Sequence, residues 1–278
     1  MTQSEPADLD TVIRRLRAAG CVFAEDEAQL IVAEAADSEQ REAFVVRRVA
    51  GEPLEYILGW AEFCGLRISV APGVFVPRQR TSLLVREALR VAPRQPVVLD
   101  LCCGAGAIGA AVLAARPDAA VHACDIDPAA TACARRSLDA VVRGGLGAVN
   151  GAPEQVRTPP RVYTGDLYEP LPASLLGVVD VIVANAPYVP TDEIRLMPPE
   201  AREYEAPAAL DGGEDGLELQ RRVVHGAREW LSPGGHVLIE TSRRQASATA
   251  GLLEAAGFSA SIVREDEVAG TVAVAALR

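Results

Sequence analysis

An asparagine, a proline and a tyrosine directly follow an apolar run in the second half of the chain. Residues 178–182 are predicted to be a buried strand, and Val183-Ala184-Asn185-Ala186-Pro187-Tyr188 comes next. The asparagine side chain offers one acceptor oxygen and an NH2 group that donates two hydrogen bonds, so it can hold a planar amide edge-on. The tyrosine ring can stack on that plane, and Pro187 restricts the geometry between the two. The pattern predicts a clamp for a nitrogen-bearing group, although asparagine and proline are also common in ordinary turns.

A loop of small residues lies between a predicted strand, residues 97–101, and a helix that is predicted to run to Ala115. Small residues allow a ligand to approach the backbone closely at a helix N-terminus. The loop lacks both the full GxGxxG spacing and the lysine of a phosphate loop, which disfavours a nucleoside triphosphate. The residues of this loop are Cys102, Cys103, Gly104, Ala105 and Gly106.

Acidic residues end the next two predicted strands. Asp125 follows residues 120–124, and it lies about 20 residues after the loop, where an acidic side chain reaches ribose hydroxyls. Asp166 follows residues 161–164 and is placed to accept a hydrogen bond from an exocyclic amine such as that of adenine, while Leu167 can cover a ring face. The spacing therefore predicts a nucleoside-type site.

The alternation of strands and helices from Pro96 onward is typical of an α/β fold with a doubly wound parallel sheet. It ends in a predicted antiparallel pair, residues 259–263 and 271–275. Residues 191–217 form a long connection that is predicted to be a lid or a substrate wall. Residues 144–160, rich in glycine and proline, are predicted to be a mobile surface loop.

The first part of the chain has a different pattern. Residues 1–65 are predicted to form a small helical bundle that could dock a substrate, because apolar residues recur there at helical spacing. Residues 66–80 are predicted to be a β-hairpin linker, with strands at 66–70 and 73–76. Residues 81–278 then form the main domain, and Thr81 is predicted to cap its first helix.

Composition excludes several classes of function. The net charge of −11 disfavours tight, sequence-independent binding to nucleic acid. The six cysteines form no CxxC pair and the chain has three histidines, so no metal site is expected, and buried thiols in a reducing cytosol are expected instead. The sequence has no signal peptide and no membrane-length apolar run, which predicts a soluble cytoplasmic protein.

Taken together, these features resemble the S-adenosylmethionine-dependent methyltransferases, and more narrowly the HemK-type protein-(glutamine-N5) methyltransferases that modify class I peptide release factors. The resemblance covers nearly the whole chain. It includes residues 51–59, Phe75-Val76-Pro77-Arg78, residues 100–108 and Tyr204-Glu205-Ala206-Pro207. Three segments depart from the family. Ala186 replaces a proline, residues 102–106 replace Gly-Thr-Gly-Thr-Gly, and Gln79-Arg80-Thr81-Ser82 replaces Pro-Asp-Thr-Glu.

The resemblance implies a seven-stranded sheet with the last strand antiparallel, and S-adenosylmethionine as cofactor with S-adenosylhomocysteine as product. It implies a protein substrate such as a release factor. In the family picture, the side-chain oxygen of Asn185 and the backbone carbonyl of residue 186 accept the two N–H bonds of the substrate amide. The implied catalytic residues are Asn185, Ala186, Pro187 and Tyr188, and the implied cofactor-binding residues are Asp100, Cys102, Cys103, Gly104, Ala105, Gly106, Asp125, Asp166, Leu167 and Asn185.

Two alternatives remain open at this point. One is a related methyltransferase acting on an adenine amine of nucleic acid or on a small metabolite. The acidic charge counts against the first acceptor, and the matching N-terminal part counts against the second. The other alternative is a non-enzymatic, cofactor-binding protein, which the altered glycine loop suggests.

Overall fold

The computed structural model describes residues 6–144, 156 and 158–277. Four helices form its N-terminal part, and the first three enclose an apolar core that includes Leu16, Ile31 and Val45. Asp37 caps the third helix by accepting a hydrogen bond from the amide of Gln40 at 2.8 Å. The structure confirms the helices that were predicted for this part of the chain. They are α1 (Pro6–Ala18), α2 (Ala24–Glu34), α3 (Ser38–Val49) and α4 (Leu54–Leu58).

A two-stranded hairpin follows, but it is not the predicted one. Strand β1 (Trp60–Phe63) pairs antiparallel with β2 (Leu66–Ser69). Both turn residues, Cys64 and Gly65, have positive φ, as a tight two-residue hairpin turn requires. The predicted strand at 66–70 is thus approximately right, while the prediction that residues 73–76 pair with it is wrong.

Residues 73–76 instead form hydrogen bonds with a segment far along the chain. The amide of Ala206 donates to the carbonyl of Gly73 at 3.1 Å, and the amide of Val76 donates to the Glu205 carboxylate at 3.3 Å. These partners satisfy the backbone groups that a local hairpin would have used. The proposed division of the chain at residues 65 and 80 stays a prediction.

The predicted N-cap at Thr81 is also wrong. A short 3-10 turn (Gln79–Thr81) precedes α5 (Ser82–Val91), so Thr81 already has helical dihedrals, φ −68° and ψ −15°. Its hydroxyl makes no capping hydrogen bond and turns instead toward Asn185.

The main domain, in the part of the chain that the structure describes, is built on a seven-stranded sheet in the order β5-β4-β3-β6-β7-β9-β8. Strand β9, the last strand, runs antiparallel to both of its neighbours, β7 and β8, as expected. The strands are β3 (Val97–Leu101), β4 (Ala120–Asp125), β5 (Arg161–Thr164), β6 (Val179–Ala184), β7 (Leu231–Glu240), β8 (Phe258–Glu265) and β9 (Gly270–Leu277). The helices after α5 are α6 (Ala107–Ala115), α7 (Pro128–Val142), α8 (Pro199–Tyr204), α9 (Glu218–Trp230) and α10 (Ala246–Ala255).

Helices cover both faces of this sheet. Val98 of β3 packs in a core with residues of α5, α6 and α7, whereas the next residue, Leu99, packs in a second core with residues of α9 and α10. Central strands that are buried on both faces explain the unbroken apolar runs of the sequence. The chain reverses its direction of strand addition between β3 and β6, and ligands bind at the carboxyl ends of the strands at such a point.

Several negative expectations can be compared with the described residues. Within them, no helix is long and apolar enough to cross a membrane, and no cluster of three or more potential metal ligands occurs. All six cysteines are free, but Cys64 is exposed rather than buried. The predicted loop at 144–160 lies mostly outside the described residues.

Candidate active site

A cavity of about 560 Å³ opens at the carboxyl ends of β3, β4, β5 and β6. The loop after each of these four strands contributes to its wall, and this volume is typical of a small-molecule site. The structure brings nearly all the predicted site residues together here. They are Cys102, Cys103, Gly104, Ala105, Asp125, Asp166, Leu167, Asn185, Ala186, Pro187 and Tyr188.

The loop after β3 is held open by its backbone conformation. Gly104 has φ of +53°, and an added Cβ at this position would meet no atom within 4 Å, so the glycine leaves free space. Gly106 has a different role. Its φ is +74°, it begins α6, and an added Cβ would lie 2.9 Å from Ala134 of α7. Gly106 therefore allows α6 to pack on α7 and is not among the residues that line the cavity.

Asp100, a predicted cofactor ligand, also lies outside the cavity wall. It is fully buried beneath the loop, where one carboxylate oxygen accepts a hydrogen bond from the amide of Gly109 at 2.9 Å. Burial raises the pKa of Asp100 to about 7. The carboxyl ties β3 to the first turn of α6 and so supports the loop from below.

Asp125 links the glycine loop to the next strand. One of its oxygens accepts from the amide of Gly104 at 2.8 Å and the other from the amide of Asp127 at 3.0 Å. Each oxygen keeps a second lone-pair direction, and the residue lines the cavity. Burial raises the pKa of this carboxyl, although the two backbone N–H groups oppose that shift. A carboxylate held in this way suits a pair of neighbouring hydroxyls.

Asp166 has a partner that the sequence did not suggest. Arg222 of α9 donates to its carboxylate at 2.7 Å, and both residues line the cavity. Leu167 beside it is buried and has φ of +47°, which directs this residue into the wall. Nothing in the sequence indicates that Arg222 pairs with Asp166, because the position of Arg222 depends on how α9 packs.

The clamp residues lie beside a buried carboxylate, and a hydrogen bond orients one of them. The Nδ2 of Asn185 donates to the hydroxyl of Thr81 at 3.5 Å. That hydroxyl also lies near Glu240, whose side chain is only 1% exposed. Because the amide NH2 faces Thr81, the side-chain oxygen of Asn185 is the atom left to accept a hydrogen bond from a ligand.

Glu240 also lies beside two other groups at this end of the cavity. The Nε of Arg80 donates to it at 3.2 Å, and the phenol of Tyr188 lies near both Glu240 and Arg80. Burial raises the pKa of Glu240, while the neighbouring side chains of Thr81, Arg80 and Tyr188 oppose that shift. Burial likewise raises the pKa of Tyr188. Glu240 is absent from the predicted site, although it is the common neighbour of three residues in the wall.

The backbone of the clamp is rigid despite the alanine at 186. The turn at 210–216 lies directly against it, since an added Cβ at Gly212 would come within 2.8 Å of the Pro187 oxygen and the Tyr188 Cα. The side chain of Gln245 donates to the carbonyl of Tyr188 at 2.9 Å. Tertiary contacts thus supply rigidity that a second proline would otherwise contribute.

Further parts of the wall come from segments before and after the clamp. Phe75, Pro77, Arg80 and Thr81 contribute from the region between β2 and α5. Phe75 and Pro77 belong to the Phe-Val-Pro-Arg motif, which the site prediction did not use, and Arg80 and Thr81 lie just after it. The segment 191–217, predicted as a lid or wall, contributes Met197, Ala206, Ala208, Ala209, Leu210, Asp211 and Gly213. The described histidines are not among the lining residues, and burial lowers the pKa of His122 and His236.

Comparisons with known proteins identify relatives of this chain. Residues 65–197 match the family model of the methyltransferase small domain. The chain is 40% identical to a release factor glutamine methyltransferase from Geobacter sulfurreducens, over 80% of this chain and 72% of that protein. It is 35% identical to a 4-amino-L-phenylalanine/4-methylamino-L-phenylalanine methyltransferase from Streptomyces pristinaespiralis, over 77% and 69% of the two chains. The fold is similar to a methyltransferase structure from Pyrococcus furiosus, with a TM-score of 0.52, 17% identity, and coverage of 86% of this chain and 98% of that chain.

Proposed function

Since the chain belongs to the release factor glutamine methyltransferase family, we propose that it transfers a methyl group from S-adenosylmethionine to the side-chain amide nitrogen (N5) of a protein glutamine. The observation that carries this proposal is the orientation of Asn185. Its NH2 group is directed to Thr81, which leaves its oxygen to accept an N–H bond of the substrate amide. A glutamine side chain presents two such N–H bonds, and the backbone carbonyl of Ala186 is available for the second.

The cofactor fits the residues at the other end of the cavity. The open space at Gly104 and the backbone-held carboxylate of Asp125 suit the methionine and ribose parts, and Asp166 with Leu167 suits adenine. Asp125, Asp127 and Asp166 give this end a negative potential that favours a cationic cofactor. When bound, S-adenosylmethionine supplies a methyl group already activated by its sulfonium. Its binding is part of the proposal.

The residues of the clamp have to compensate for a weak nucleophile, because the amide lone pair is delocalised into the carbonyl. Asn185 and the carbonyl of Ala186 fix the nitrogen in one orientation, and the Tyr188 ring packs on the amide plane. Alignment of this kind is worth up to about 7–11 kcal/mol of the barrier. The same two acceptor oxygens also stabilise the positive charge that develops on the nitrogen. The nitrogen loses its proton after methyl transfer, so these residues need no strong base.

The N-terminal helices are proposed to dock the protein substrate, and a class I release factor in the cytoplasm is the proposed partner. An ion pair connects these helices to the segment that walls the cavity. Arg48 of α3 donates to Glu200 of α8 at 3.0 Å, and α8 belongs to the segment that walls the cavity. Arg48 is held in place by Glu27 of α2 at 2.7 Å.

The test is transfer of a labelled methyl group from S-adenosylmethionine to purified class I release factors and, in parallel, to a cell lysate. We expect mass spectrometry to find one methyl group on a glutamine amide, and Asn185→Ala to abolish most of that label. Label on another residue type, or label that does not respond to Asn185→Ala, would contradict the proposal.

The second candidate is N-methylation of a free amino acid that carries an amine on its side chain. The similarity to the Streptomyces pristinaespiralis enzyme favours it, because that relative is named for such a substrate. The same labelled reaction separates the two candidates, since label would then be found in the small-molecule fraction of the lysate and not in protein.

A further inference from the structure

A cation lies at the acceptor end of the cavity. Of the arginines that line the cavity in the described part of the chain, Arg222 is paired with Asp166 near the proposed adenine site, and Arg80 lies beside the clamp. Arg80 lies near the phenol of Tyr188, and the hydroxyl of its chain neighbour Thr81 accepts a hydrogen bond from Asn185. The Arg80 guanidinium therefore lies next to the residues that are proposed to hold the substrate nitrogen.

The contacts of Arg80 leave part of its guanidinium facing the cavity. Its Nε donates to Glu240 at 3.2 Å, and the Tyr188 phenol lies nearby. A guanidinium carries five N–H donors in a planar fork, and the Arg80 side chain is still 39% exposed. Glu240, in contrast, is only 1% exposed, so the pair presents its donors and not its carboxylate to a ligand.

We propose that Arg80 selects acceptors that carry a carboxylate next to the methylated amide. A planar fork of N–H donors matches a carboxylate in two parallel hydrogen bonds, and Arg is preferred over Lys for such recognition. This inference rests on the proposed methyl transfer to an amide and adds the charge of its substrate. The carboxylate has two sources. It belongs either to an acidic residue that flanks the glutamine in a protein, or to the α-carboxylate of a free amino acid.

The opposite end of the cavity argues against the cofactor as the target of Arg80. That end is lined by Asp125, Asp127 and Asp166, at or just after the ends of β4 and β5, whereas Arg80 bonds to Glu240 of β7, which lies beyond β3 and β6 in the sheet. Arg80 instead shares its contacts with the residues that hold the acceptor. The 3-10 turn at Gln79–Thr81 places it against β7 and the clamp.

The chain offers a closely matched control. Arg78, two residues earlier, forms the same kind of pair with a buried carboxylate, Glu205. The exposed fractions are 34% and 2% for Arg78 and Glu205, against 39% and 1% for Arg80 and Glu240. Arg78 is not among the residues that line the cavity. Arg78→Gln therefore leaves a buried glutamate without its arginine, as Arg80→Gln does, but keeps the cation in the cavity.

The experiment measures binding and turnover of four acceptors. Two are blocked pentapeptides with a central glutamine, one flanked by glutamates and one by alanines. The other two are free glutamine and its α-amide. Binding is measured by calorimetry with S-adenosylhomocysteine present, and turnover with labelled S-adenosylmethionine. Wild type and Arg78→Gln should bind one carboxylate-bearing acceptor about tenfold more tightly than its neutral partner, and Arg80→Gln should lose this preference. Arg80→Lys should retain part of it.

Each outcome bears on the proposal. A preference within the peptide pair identifies a flanking acidic residue, and a preference within the glutamine pair identifies an α-carboxylate. Equal binding within both pairs, or no binding of any acceptor, overturns the inference. So does a loss of S-adenosylhomocysteine affinity in Arg80→Gln that leaves the acceptor preference intact, because the cofactor would then be the target. A carboxylate preference in binding without any methyl transfer would support the role of Arg80 and contradict the proposed function.

Discussion

Replacement of Asn185 by alanine tests the chemistry of the clamp most directly. The substitution removes the side-chain oxygen that is proposed to accept one N–H bond of the substrate amide, and it leaves the backbone carbonyl of Ala186 in place. Within the protein it removes only a weak interaction, since the hydrogen bond from Asn185 to Thr81 is 3.5 Å long. Thr81 also remains beside the buried Glu240. We therefore expect the fold to lose about 1 kcal/mol of stability or less.

The catalytic effect should be much larger than the effect on stability. One oriented hydrogen bond to a developing charge is worth roughly 10²–10³ in rate, or about 2.7–4 kcal/mol. Cofactor affinity should change little, because Asp125, Asp166 and the loop at Gly104 lie at the other end of the cavity. Asn185→Asp is the matched partner variant. An aspartate cannot donate to Thr81, so the threonine hydroxyl would then lie between two carboxylates, and we expect a loss of similar size.

The assay is single-turnover methyl transfer at saturating S-adenosylmethionine, with the melting temperature and cofactor affinity measured in parallel. The expected result is a slow transfer step in a folded protein that still binds its cofactor. A rate within about threefold of wild type for Asn185→Ala would refute the clamp and the amide-methylation proposal that depends on it. A collapse of cofactor affinity would instead place Asn185 in the cofactor site.

Substitutions at four other residues test the remaining parts of the site and the core beneath it. Asp125→Ala should weaken cofactor binding by about 1.5–3 kcal/mol in calorimetry, because it removes a carboxylate that also holds the Gly104 amide; unchanged affinity would exclude Asp125 from the site. Cys103→Thr should bind the cofactor as well as wild type, since burial raises the pKa of this thiol and makes it inert; loss of activity in a folded variant would reveal a thiol role. Tyr188→Phe should retain more activity than Tyr188→Ala if the ring face packs on the substrate, and equal losses would point to the phenol. Burial raises the pKa of Asp100 to about 7, so protonation of this carboxyl stabilises the folded protein fully below about pH 4, and this stabilisation is lost as the pH rises through 7. Over this range the free energy of unfolding of Asp100→Asn, measured in urea, should rise relative to that of wild type by at most about 4 kcal/mol, and parallel pH profiles would contradict this.

Much of the architecture could be predicted from local patterns. The local patterns predicted β3, β5 and β6 to within a residue or two. For the central strands β3 and β6 the reason is that burial on both faces leaves an unbroken apolar signal. The carboxyl ends of parallel strands meet at one edge of a sheet, so Asp125, Asp166 and Asn185 could be assigned to one site without coordinates. The two errors arose where groups bond to distant segments instead of near ones, namely backbone groups at 73–76 and the side-chain hydroxyl of Thr81.

The rest of the site depends on pairs that no local pattern contains. Arg80 and Glu240 are 160 positions apart, and Thr81 and Asn185 are 104 positions apart. The sequence by itself determined the order of the strands along the chain, the loop at 102–106 and the composition of the clamp, since these follow from periodicity and turn chemistry. Only the tertiary structure decided that Glu240 lies beneath Thr81, Arg80 and Tyr188, and that Asp100 and Gly106 support the cavity without lining it. The physical reason is that a buried carboxylate takes whichever donors the packing of β7 against the 3-10 turn places beside it, and that packing is a property of the whole core.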